Sequence, residues 1–439
     1  MDRLIDRICF PSKYIEIEYN KWFLIINFDN SRSRRLSERE YKIFCQLKHK
    51  NKIVGSDKND DFDRKEYNEF IAQMIMSGLV ALTPFSKKDI GEDQTKPISV
   101  YWGVSSECNF RCKYCYANCG PITDSKSCSY LTDIDYKNII DKIKKHGFSE
   151  ILFTGGEPLL NKDVFDMAAY AKEVGLACSL LTNGSLIKKY DINRFKVFNY
   201  VKISLDSTIK SVNDDLRGEG SYELIVAAIR RLRDNDIKVD VGTVITNKNK
   251  DNLEELIRYL YTEFDVKVHT LANHIPLGRG SSSELNCTFD EIEKCDEVIY
   301  NTKMDLARNG LYSVVQDAFL PQGRKISCGM AHSEIYINEK GDVYPCRMTY
   351  DDEFYLGNIL QENFDVILKR GRKLTSAIHV DNLEGCKDCN YRYLCGGGCR
   401  MYHKSFTGSV YRNYLPLCET YKRQLINLLL FKNGMLDTK

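Results

Sequence analysis

The sequence predicts an α/β protein built around a partial (β/α)6 TIM barrel, with a small winged-helix-like unit before it and a cysteine-rich unit after it. Three observations support this prediction. Six short apolar segments alternate with amphipathic helical segments between residues 96 and 310. Residues 1–95 contain a hairpin-like pair of strand segments followed by helical spacing. Of the 17 cysteines, ten fall into two spaced sets, one near the start of the alternating region and one after it.

The composition is that of a globular protein with two or three domains. The chain has 439 residues, of which 43% are hydrophobic and 28% charged, and its net charge is +2. This balance gives no electrostatic reason to expect nucleic acid or an anionic membrane as a partner. The first ten residues are charged and lack an apolar core, and we find no run of about 18 apolar residues. We therefore expect a soluble cytoplasmic protein, in which thiols stay reduced and clustered cysteines indicate metal ligands.

The N-terminal unit, residues 1–95, begins with two β-forming segments, KYIEIEY and WFLIINF. An Asn20-Lys21 turn separates them, which predicts a hairpin. A helix is predicted to start at Ser37, because Glu40 follows three residues later as in a capping box. A second helical pattern runs up to Gly78. The polar stretch SKKDIGEDQTKP is the predicted linker to the next unit.

The barrel unit, residues 96–310, is predicted from its repeated strand and helix patterns. Its strand candidates are SVYWGV, EILFTG, CSLLTN, YVKISLD, VDVGTVIT and VKVHTLA, and its helical segments include DIDYKNIIDKIKKHG, VFDMAAYAKEVG, YELIVAAIRRLRDN and LEELIRYLYTEF. Repeated strand-helix units predict parallel strands, with functional residues at their C-terminal ends. The last unit, residues 311–439, shows poor periodicity, so we expect it to be held together by what its cysteines bind.

The first cysteine set lies directly after the first barrel strand. Cys108, Cys112 and Cys115 form a C-x3-C-x2-C pattern. A structural zinc site or a ferredoxin-type 4Fe-4S cluster takes four ligands, so three thiolates are one short. Two interpretations follow from the residues alone. Either a distant residue completes a zinc knuckle, or a three-thiolate 4Fe-4S cluster keeps one iron open for a small ligand.

The stretch CNFRCKYC, with Tyr114 just before its last cysteine, resembles the signature of radical SAM enzymes. Thr154-Gly155-Gly156-Glu157-Pro158, at the end of the second strand, is similar to the GGE motif of that family. The resemblance implies that Gly155, Gly156 and Glu157 meet the amino group of S-adenosylmethionine. The chemistry agrees, because glycines permit close backbone approach and a carboxylate accepts from an amine.

Four later positions fit the same family in order along the chain. Asn183 closes the third strand, Ser204 and Asp206 close the fourth, and Arg217 follows in the next loop. The resemblance implies that these residues contact the cofactor, with Ser204 and Asp206 on its ribose hydroxyls and Arg217 on its carboxylate. It also implies cleavage of S-adenosylmethionine to a 5'-deoxyadenosyl radical, with electrons from a flavodoxin- or ferredoxin-type donor.

The second cysteine set resembles the SPASM domain of radical SAM enzymes, which holds two auxiliary 4Fe-4S clusters. The resemblance assigns Cys328, Cys346 and Cys399 to the first auxiliary cluster, and Cys386, Cys389, Cys395 and Cys418 to the second. With the triplet, it implies three 4Fe-4S clusters. A zinc ribbon built on the C-x2-C pair is the alternative. The sequence 276–280, PLGRG, is one that such proteins also tend to carry.

Two auxiliary clusters need eight ligands, and seven cysteines are present. The fourth iron of the first auxiliary cluster is therefore either open or bound by His332, Cys287 or Cys295. An open iron facing the substrate is suited to bind a peptide cysteine thiolate. The alternative is a cluster that only relays electrons or stabilises the fold. Cys119 and Cys128 are expected to be ordinary thiols.

The resemblance also bears on the substrate, because SPASM enzymes mostly act on peptides or proteins. Residues 1–95 resemble the leader-recognition element of enzymes that mature ribosomally made peptides, such as sactisynthases, ranthipeptide thioether synthases and streptide-type cross-linking enzymes. A plain interaction or oligomerisation domain is the alternative. Anaerobic sulfatase maturases carry an aspartate base after the second SPASM cysteine, where this chain has Arg347.

These implications predict a maturase that forms an intramolecular cross-link in a precursor peptide whose leader binds the N-terminal unit. The missing eighth ligand favours a cysteine thioether. A carbon-carbon cross-link, a sulfatase-maturase-like oxidation and a non-catalytic peptide-binding protein are the alternatives. The sequence singles out no general base, precursor, stereochemistry or oligomeric state.

Overall fold

The computed structural model describes residues 9–50, 64–81, 99–121, 131–310 and 324–433. The predicted linker and Cys128 lie outside the described residues. The strands are β1 (Tyr14–Tyr19), β2 (Trp22–Asn27), β3 (Ser33–Ser37), β4 (Ser99–Gly103), β5 (Glu150–Thr154), β6 (Ala177–Thr182), β7 (Val201–Ser204), β8 (Val239–Ile245), β9 (His269–Asn273), β10 (Glu334–Ile337), β11 (Asp342–Tyr344) and β12 (Gly357–Asn358).

The helices are α1 (Glu38–Lys50), α2 (Arg64–Met76), α3 (Asp133–Lys145), α4 (Val164–Glu173), α5 (Lys210–Arg217), α6 (Ser221–Arg233), α7 (Leu253–Glu263), α8 (Phe289–Arg308), α9 (Phe364–Ala377), α10 (Arg392–Cys395), α11 (Arg400–Thr407) and α12 (Leu415–Lys432).

The N-terminal unit contains the predicted hairpin. β1 pairs antiparallel with β2, and Asn20, in the two-residue turn, has a φ of 55°. A short hairpin turn requires such a positive φ, which asparagine tolerates. The predicted capping box is also present, because Ser37 and Glu40 exchange backbone-to-side-chain hydrogen bonds at the start of α1. The chain adds an unpredicted third strand, β3, that pairs with β2.

Both faces of this three-stranded sheet are covered. Tyr14, Ile25 and Leu36 pack on α1 and α2, as the alternation of a strand requires. The opposite face packs on the C-terminal helices α10 and α12. Among the described residues, β1 and β3 are the edge strands, since each pairs with β2 alone. The N-terminal unit therefore lies against the cysteine-rich end of the chain and keeps its strand edges unpaired.

The predicted partial barrel is confirmed. Strands β4 to β9 pair in parallel and in sequence order, and each lies within or next to one of the six predicted segments. Their outward side chains, such as Trp102 and Phe153, are fully buried against α3, α4, α6 and α7. Burial of one such side chain stabilises the fold by about 1.5–3 kcal/mol. The inward side chains alternate with these and line the barrel.

The barrel sheet continues into the cysteine-rich region. β10 pairs in parallel with β4, and β11 and β12 follow as antiparallel strands, which makes a sheet of nine strands. Residues on both sides of position 310 thus share one sheet. The division into units 1–95, 96–310 and 311–439 stays a prediction.

Several helices were missed by the sequence analysis. α8 has 20 residues and begins with a capping box between Thr288 and Glu291, a signal that was available in the sequence. The judgement of poor periodicity after residue 310 was wrong for α9 and α12. α12 is apolar on more than one side because it contacts the N-terminal sheet, α8 and α10, so its pattern differs from that of a surface helix. None of the described helices is long and apolar enough to cross a membrane.

The contact between α8 and α12 contains a carboxyl group whose protonation should affect stability. Burial beside Gln424 and Glu293 raises the pKa of Asp296 to about 7, from 3.8. The folded state therefore binds more protons than the unfolded state between these two pH values, and stability falls as pH rises through that range. We expect Asp296→Asn to lose less stability than the wild type between pH 5 and pH 8, measured by thermal unfolding.

Asp290→Asn is the matched control, because Asp290 lies exposed in the first turn of the same helix. Its pH dependence between pH 5 and pH 8 should equal that of the wild type. Equal pH dependence in all three proteins would contradict the assignment to Asp296.

Candidate active site

The residues singled out in the sequence meet at the C-terminal ends of β4 to β7. The triplet Cys108, Cys112 and Cys115 occupies the loop after β4, and the glycines 155–156 follow β5. Asn183 follows β6, while Ser204 is the half-buried last residue of β7. The strand-end rule therefore places these residues correctly.

Gly155 and Gly156 allow the β5 loop to lie against the cysteine loop. A Cβ atom on Gly155 would lie 2.2 Å from the Ser105 carbonyl oxygen, and one on Gly156 would lie 2.1 Å from the Glu107 carbonyl oxygen. The Gly156 N–H donates to Ser105 at 2.7 Å, and the Glu157 N–H donates to Glu107 at 2.7 Å. Only glycine fits this backbone-to-backbone approach.

The Glu157 side chain turns toward the next strand. One of its carboxylate oxygens accepts from Thr182 Oγ1 at 2.7 Å and from the Leu159 N–H at 3.1 Å, and the other accepts from the Asn183 N–H at 2.8 Å. The residue is fully buried, and burial raises its pKa to about 7. Glu157 therefore ties the end of β5 to the end of β6, a role that the motif alone did not reveal.

Asn183 connects β6 to the cysteine loop. Its Nδ2 group donates to Asn109 Oδ1 at 3.0 Å and lies 3.8 Å from Cys108 Sγ. Burial raises the pKa of Cys108 to about 12, so its thiol needs a metal or another cation to ionise. A hydrogen bond to a cluster sulfur tunes the potential of the cluster.

Tyr114, Asp206 and Arg217 form a buried network above β7. The Tyr114 hydroxyl donates to Asp206 Oδ2, and Arg217 Nε lies 2.7 Å from the same oxygen. Asp206 Oδ1 accepts from the Val244 N–H at 3.0 Å. Burial disfavours the charged form of Arg217, but Asp206 outweighs it and raises the pKa. Asp206 is thus committed to the protein, whereas no described residue accepts from the two Nη groups of Arg217.

The segment 276–280 clamps the cysteine loop. Arg279 donates from Nε to the Cys112 carbonyl oxygen at 2.8 Å and from Nη2 to the Cys119 carbonyl oxygen at 2.7 Å. A Cβ on Gly280 would lie 2.8 Å from Tyr114 Cα. The sequence analysis noted this segment without a role, and the structure gives it one: it fixes the backbone of the triplet.

A cavity of about 670 Å³ opens beside these elements. The glycines 155–156 and Arg279 line one side, and Tyr336 and Tyr350 of the cysteine-rich region line the other. Both parts of the chain therefore face one space at the carboxyl end of β4. Its volume suits a small-molecule cofactor or a peptide side chain.

The four cysteines assigned to the second auxiliary cluster line one cavity of about 380 Å³, and they are Cys386, Cys389, Cys395 and Cys418. Burial and the neighbouring thiols raise the pKa of Cys395 to about 12 and that of Cys418 to about 11. Fully buried Arg400 donates to the carbonyl oxygens of Gly397 and Arg412 at 2.8 and 2.7 Å, and so links the cysteines on either side. A four-thiolate cavity of this kind fits an iron-sulfur cluster.

Cys328, Cys346 and Cys399 lie within electrostatic reach of one another, with Arg347 beside them. Of the alternative fourth ligands, Cys287 and Cys295 share a hydrogen bond between their thiols. Such a pair is occupied with itself, which favours an open fourth position.

In the described ranges no three His, Cys, Asp or Glu side chains converge on the position of a single ion. A zinc site needs such convergence, since four ligands bind one ion at about 2.0–2.3 Å. The thiolates of a cubane cluster each bind a different iron and therefore stand farther apart. The spacing of these cysteines fits clusters better than zinc.

Two family models match the chain. Residues 103–260 match the radical SAM superfamily, and residues 328–390 match the SPASM iron-sulfur cluster-binding domain. The first match covers the cysteine triplet and all the strand-end residues described above. The second begins at Cys328 and ends just after Cys389.

Curated relatives match most of the chain. Mycofactocin maturase MftC of Mycobacterium tuberculosis is 27% identical over 323 residues, which cover 71% of this chain and 80% of the relative. The AdoMet-dependent heme synthase of Methanosarcina barkeri is 26% identical over 354 residues, which cover 73% of this chain and 96% of the relative.

Two kinds of solved structure share the fold. Native anSMEcpe with bound AdoMet matches with a TM-score of 0.63 at 20% identity, covering 77% of this chain and all of that chain. SuiB of Streptococcus suis bound to S-adenosylmethionine matches with a TM-score of 0.59 at 14% identity, covering 93% of this chain and 99% of that chain. The strand-end glycines, the cysteine triplet and the two family matches agree: the chain is a radical SAM enzyme with a SPASM domain.

Proposed function

We propose that this enzyme is a peptide maturase that forms an intramolecular cross-link in a ribosomally made precursor. The N-terminal unit is the observation that carries the proposal. The likeness to SuiB extends over 93% of the chain, whereas that to anSMEcpe extends over 77%. SuiB has been solved bound to its precursor peptide SuiA, and MftC is named a maturase.

The unpaired edges of β1 and β3 are where a leader peptide would bind. An extended peptide that adds to such an edge gains backbone hydrogen bonds, while neighbouring side chains provide specificity. Both faces of the sheet are already covered by helices, so the edges are the part left for a partner. Their attachment to α10 and α12 places a bound leader near the cysteine-rich region.

We assign three 4Fe-4S clusters to the cysteines. Cys108, Cys112 and Cys115 hold the cluster that takes S-adenosylmethionine, and the cavity lined by Cys386, Cys389, Cys395 and Cys418 holds the second auxiliary cluster. Cys328, Cys346 and Cys399 hold the first auxiliary cluster.

S-adenosylmethionine bound in this way supplies a radical that removes hydrogen from a substrate carbon. The protein positions it. The Nη groups of Arg217 are directed to its carboxylate, and the backbone of Gly155 and Gly156 to its amino group. Ser204 and Tyr114 complete the contacts, while Glu157 and Asp206 hold the strand ends and Arg217 in place.

A cysteine thioether is the cross-link we favour, because seven cysteines leave one auxiliary iron without a protein thiolate. Carbon-sulfur coupling at a carbon radical releases a second electron, which an auxiliary cluster can accept. A carbon-carbon cross-link needs the same electron acceptor and is the second candidate. A flavodoxin- or ferredoxin-type protein is the proposed source of the first electron.

Anaerobic turnover with a precursor peptide tests the proposal. The reduced enzyme should convert S-adenosylmethionine to 5'-deoxyadenosine, and tandem mass spectrometry should find a precursor lighter by two hydrogens. Absence of 5'-deoxyadenosine would favour a non-catalytic binding protein. A precursor in which alanine replaces each cysteine should stay unmodified, and a cross-link in that peptide would exclude the thioether.

A further inference from the structure

Two cations line the interior of the barrel below the cysteine triplet. Lys202, on β7, points inward across β8, where Gly242 leaves room, and its Nζ donates to Thr270 Oγ1 on β9 at 2.7 Å. The guanidinium carbon of Arg347 lies 4.6 Å from the ring centre of Tyr101 on β4. Both cationic side chains are half-buried, so each retains accessible surface inside the barrel.

Neither cation has a carboxylate partner in the described part of the chain. No ion pair within 4.0 Å involves Lys202 or Arg347, although most buried charges in proteins are paired. Three carboxyl groups face the same interior, namely Glu334, Asp240 and Glu150. They stay outside ion-pair distance, and Glu150 is engaged by Ser179 Oγ at 3.0 Å.

The two cations also affect each other. Burial and the charge of Arg347 lower the pKa of Lys202 to about 8, which shows that their positive charges face a common space. Burial raises the pKa of Asp240, which reduces its negative charge there. Tyr116, which follows Cys115, is close enough to Arg347 to be affected by its charge. The cationic space thus extends from the barrel interior to the triplet loop.

We propose that Arg347 and Lys202 form a binding site for a carboxylate of the substrate. The planar guanidinium can bind a carboxylate through two parallel hydrogen bonds, and the ammonium provides a third donor. The proposal rests on the proposed peptide substrate and names its class: a peptide with a C-terminal carboxylate, or an Asp or Glu side chain, at the position to be modified. It gives Arg347 a positive role where sulfatase maturases place a base.

Acylation of Lys202 by an N-hydroxysuccinimide ester, measured by mass spectrometry on the anaerobically reconstituted protein, tests this site. Three pools of N-acetylated synthetic hexapeptides serve as probes at millimolar concentration. The first has free C-terminal carboxylates and no acidic side chains, the second is the same with C-terminal amides, and the third is amidated with one Glu. S-adenosylmethionine alone is a separate arm.

We expect a carboxylate-bearing pool to slow acylation of Lys202 by about tenfold or more, and the neutral amide pool to leave it unchanged. Protection by the first pool identifies a C-terminal carboxylate, and protection by the third a side chain. Equal rates with all pools would overturn the proposal and leave Arg347 as a counter-charge for the neighbouring cluster. Protection by S-adenosylmethionine alone would overturn it as well, since the site would then serve the cofactor.

Variants give an independent check. Arg347→Gln should lose the protection, whereas Arg370→Gln should keep it, because Arg370 is a half-exposed arginine of α9 paired with Glu362 at 2.7 Å. If Arg347→Gln fails to retain its iron, the comparison of pools on the wild type still decides. The labelling does not depend on turnover, so a failure of 5'-deoxyadenosine formation would reject the proposed function without affecting this result.

Discussion

Replacement of Cys108, Cys112 and Cys115 together by alanine is expected to lower the iron content from about twelve to about eight atoms per chain and to abolish cleavage of S-adenosylmethionine. The triplet belongs to the loop after β4, whereas the other cysteines lie in the region that follows α8. Iron and sulfide analysis with Mössbauer spectra on anaerobically reconstituted protein measures the change.

The variant should keep its fold because the loop is held through its backbone. Arg279 donates to the carbonyl oxygens of Cys112 and Cys119, and the Cys108 N–H donates to the Gly120 carbonyl oxygen at 3.1 Å. These bonds do not use the thiols. Loss of iron from the auxiliary sites as well would contradict this independence.

Cys119→Ala is a demanding control, because the Cys119 thiol is hydrogen-bonded to that of Cys115. It should keep about twelve irons and full cleavage activity, whereas Cys112→Ala should not. Loss of iron in Cys119→Ala would make Cys119 a ligand. A wild-type protein with about four irons and zinc at its C-terminal cysteines would remove the basis for preferring the thioether.

Local patterns were sufficient to locate much of the site. The strand-end positions of Gly155, Asn183 and Ser204 followed from alternating strands and helices, since every parallel strand ends at the same edge of the sheet. The cysteine sets were visible from spacing, and the family matches at residues 103–260 and 328–390 agree with them.

What the sequence did not reveal depends on contacts between distant residues. The Glu157 carboxylate is bound by Thr182 and Asn183, 25 and 26 residues away, so its motif suggested a ligand contact that its oxygens now make with the protein. β10 joins the barrel beside β4 although more than two hundred residues separate them. The meeting of Lys202 and Arg347 inside the barrel is non-local in the same way, and no spacing rule relates them.

Asp206→Asn is expected to destabilise the protein by about 3–5 kcal/mol, because it leaves the Arg217 guanidinium buried without a counter-charge. The Arg217 side chain is 5% exposed and that of Asp206 is fully buried. The Tyr114 hydroxyl also loses an ionised acceptor. A thermal midpoint lowered by roughly 2–4 °C per kcal/mol, at unchanged iron content, would be the observed result.

Asp215→Asn provides the matched control, since Asp215 pairs with Lys113 on the surface and both side chains are substantially exposed. Its effect should stay within about 0.5 kcal/mol. The double variant Asp206→Asn/Arg217→Gln should lose less stability than the two single variants added together, because removal of both charges leaves no unpaired ion. Additive losses would mean that Asp206 and Arg217 do not act as a pair, and Arg217 would then need another source of its charge stabilisation.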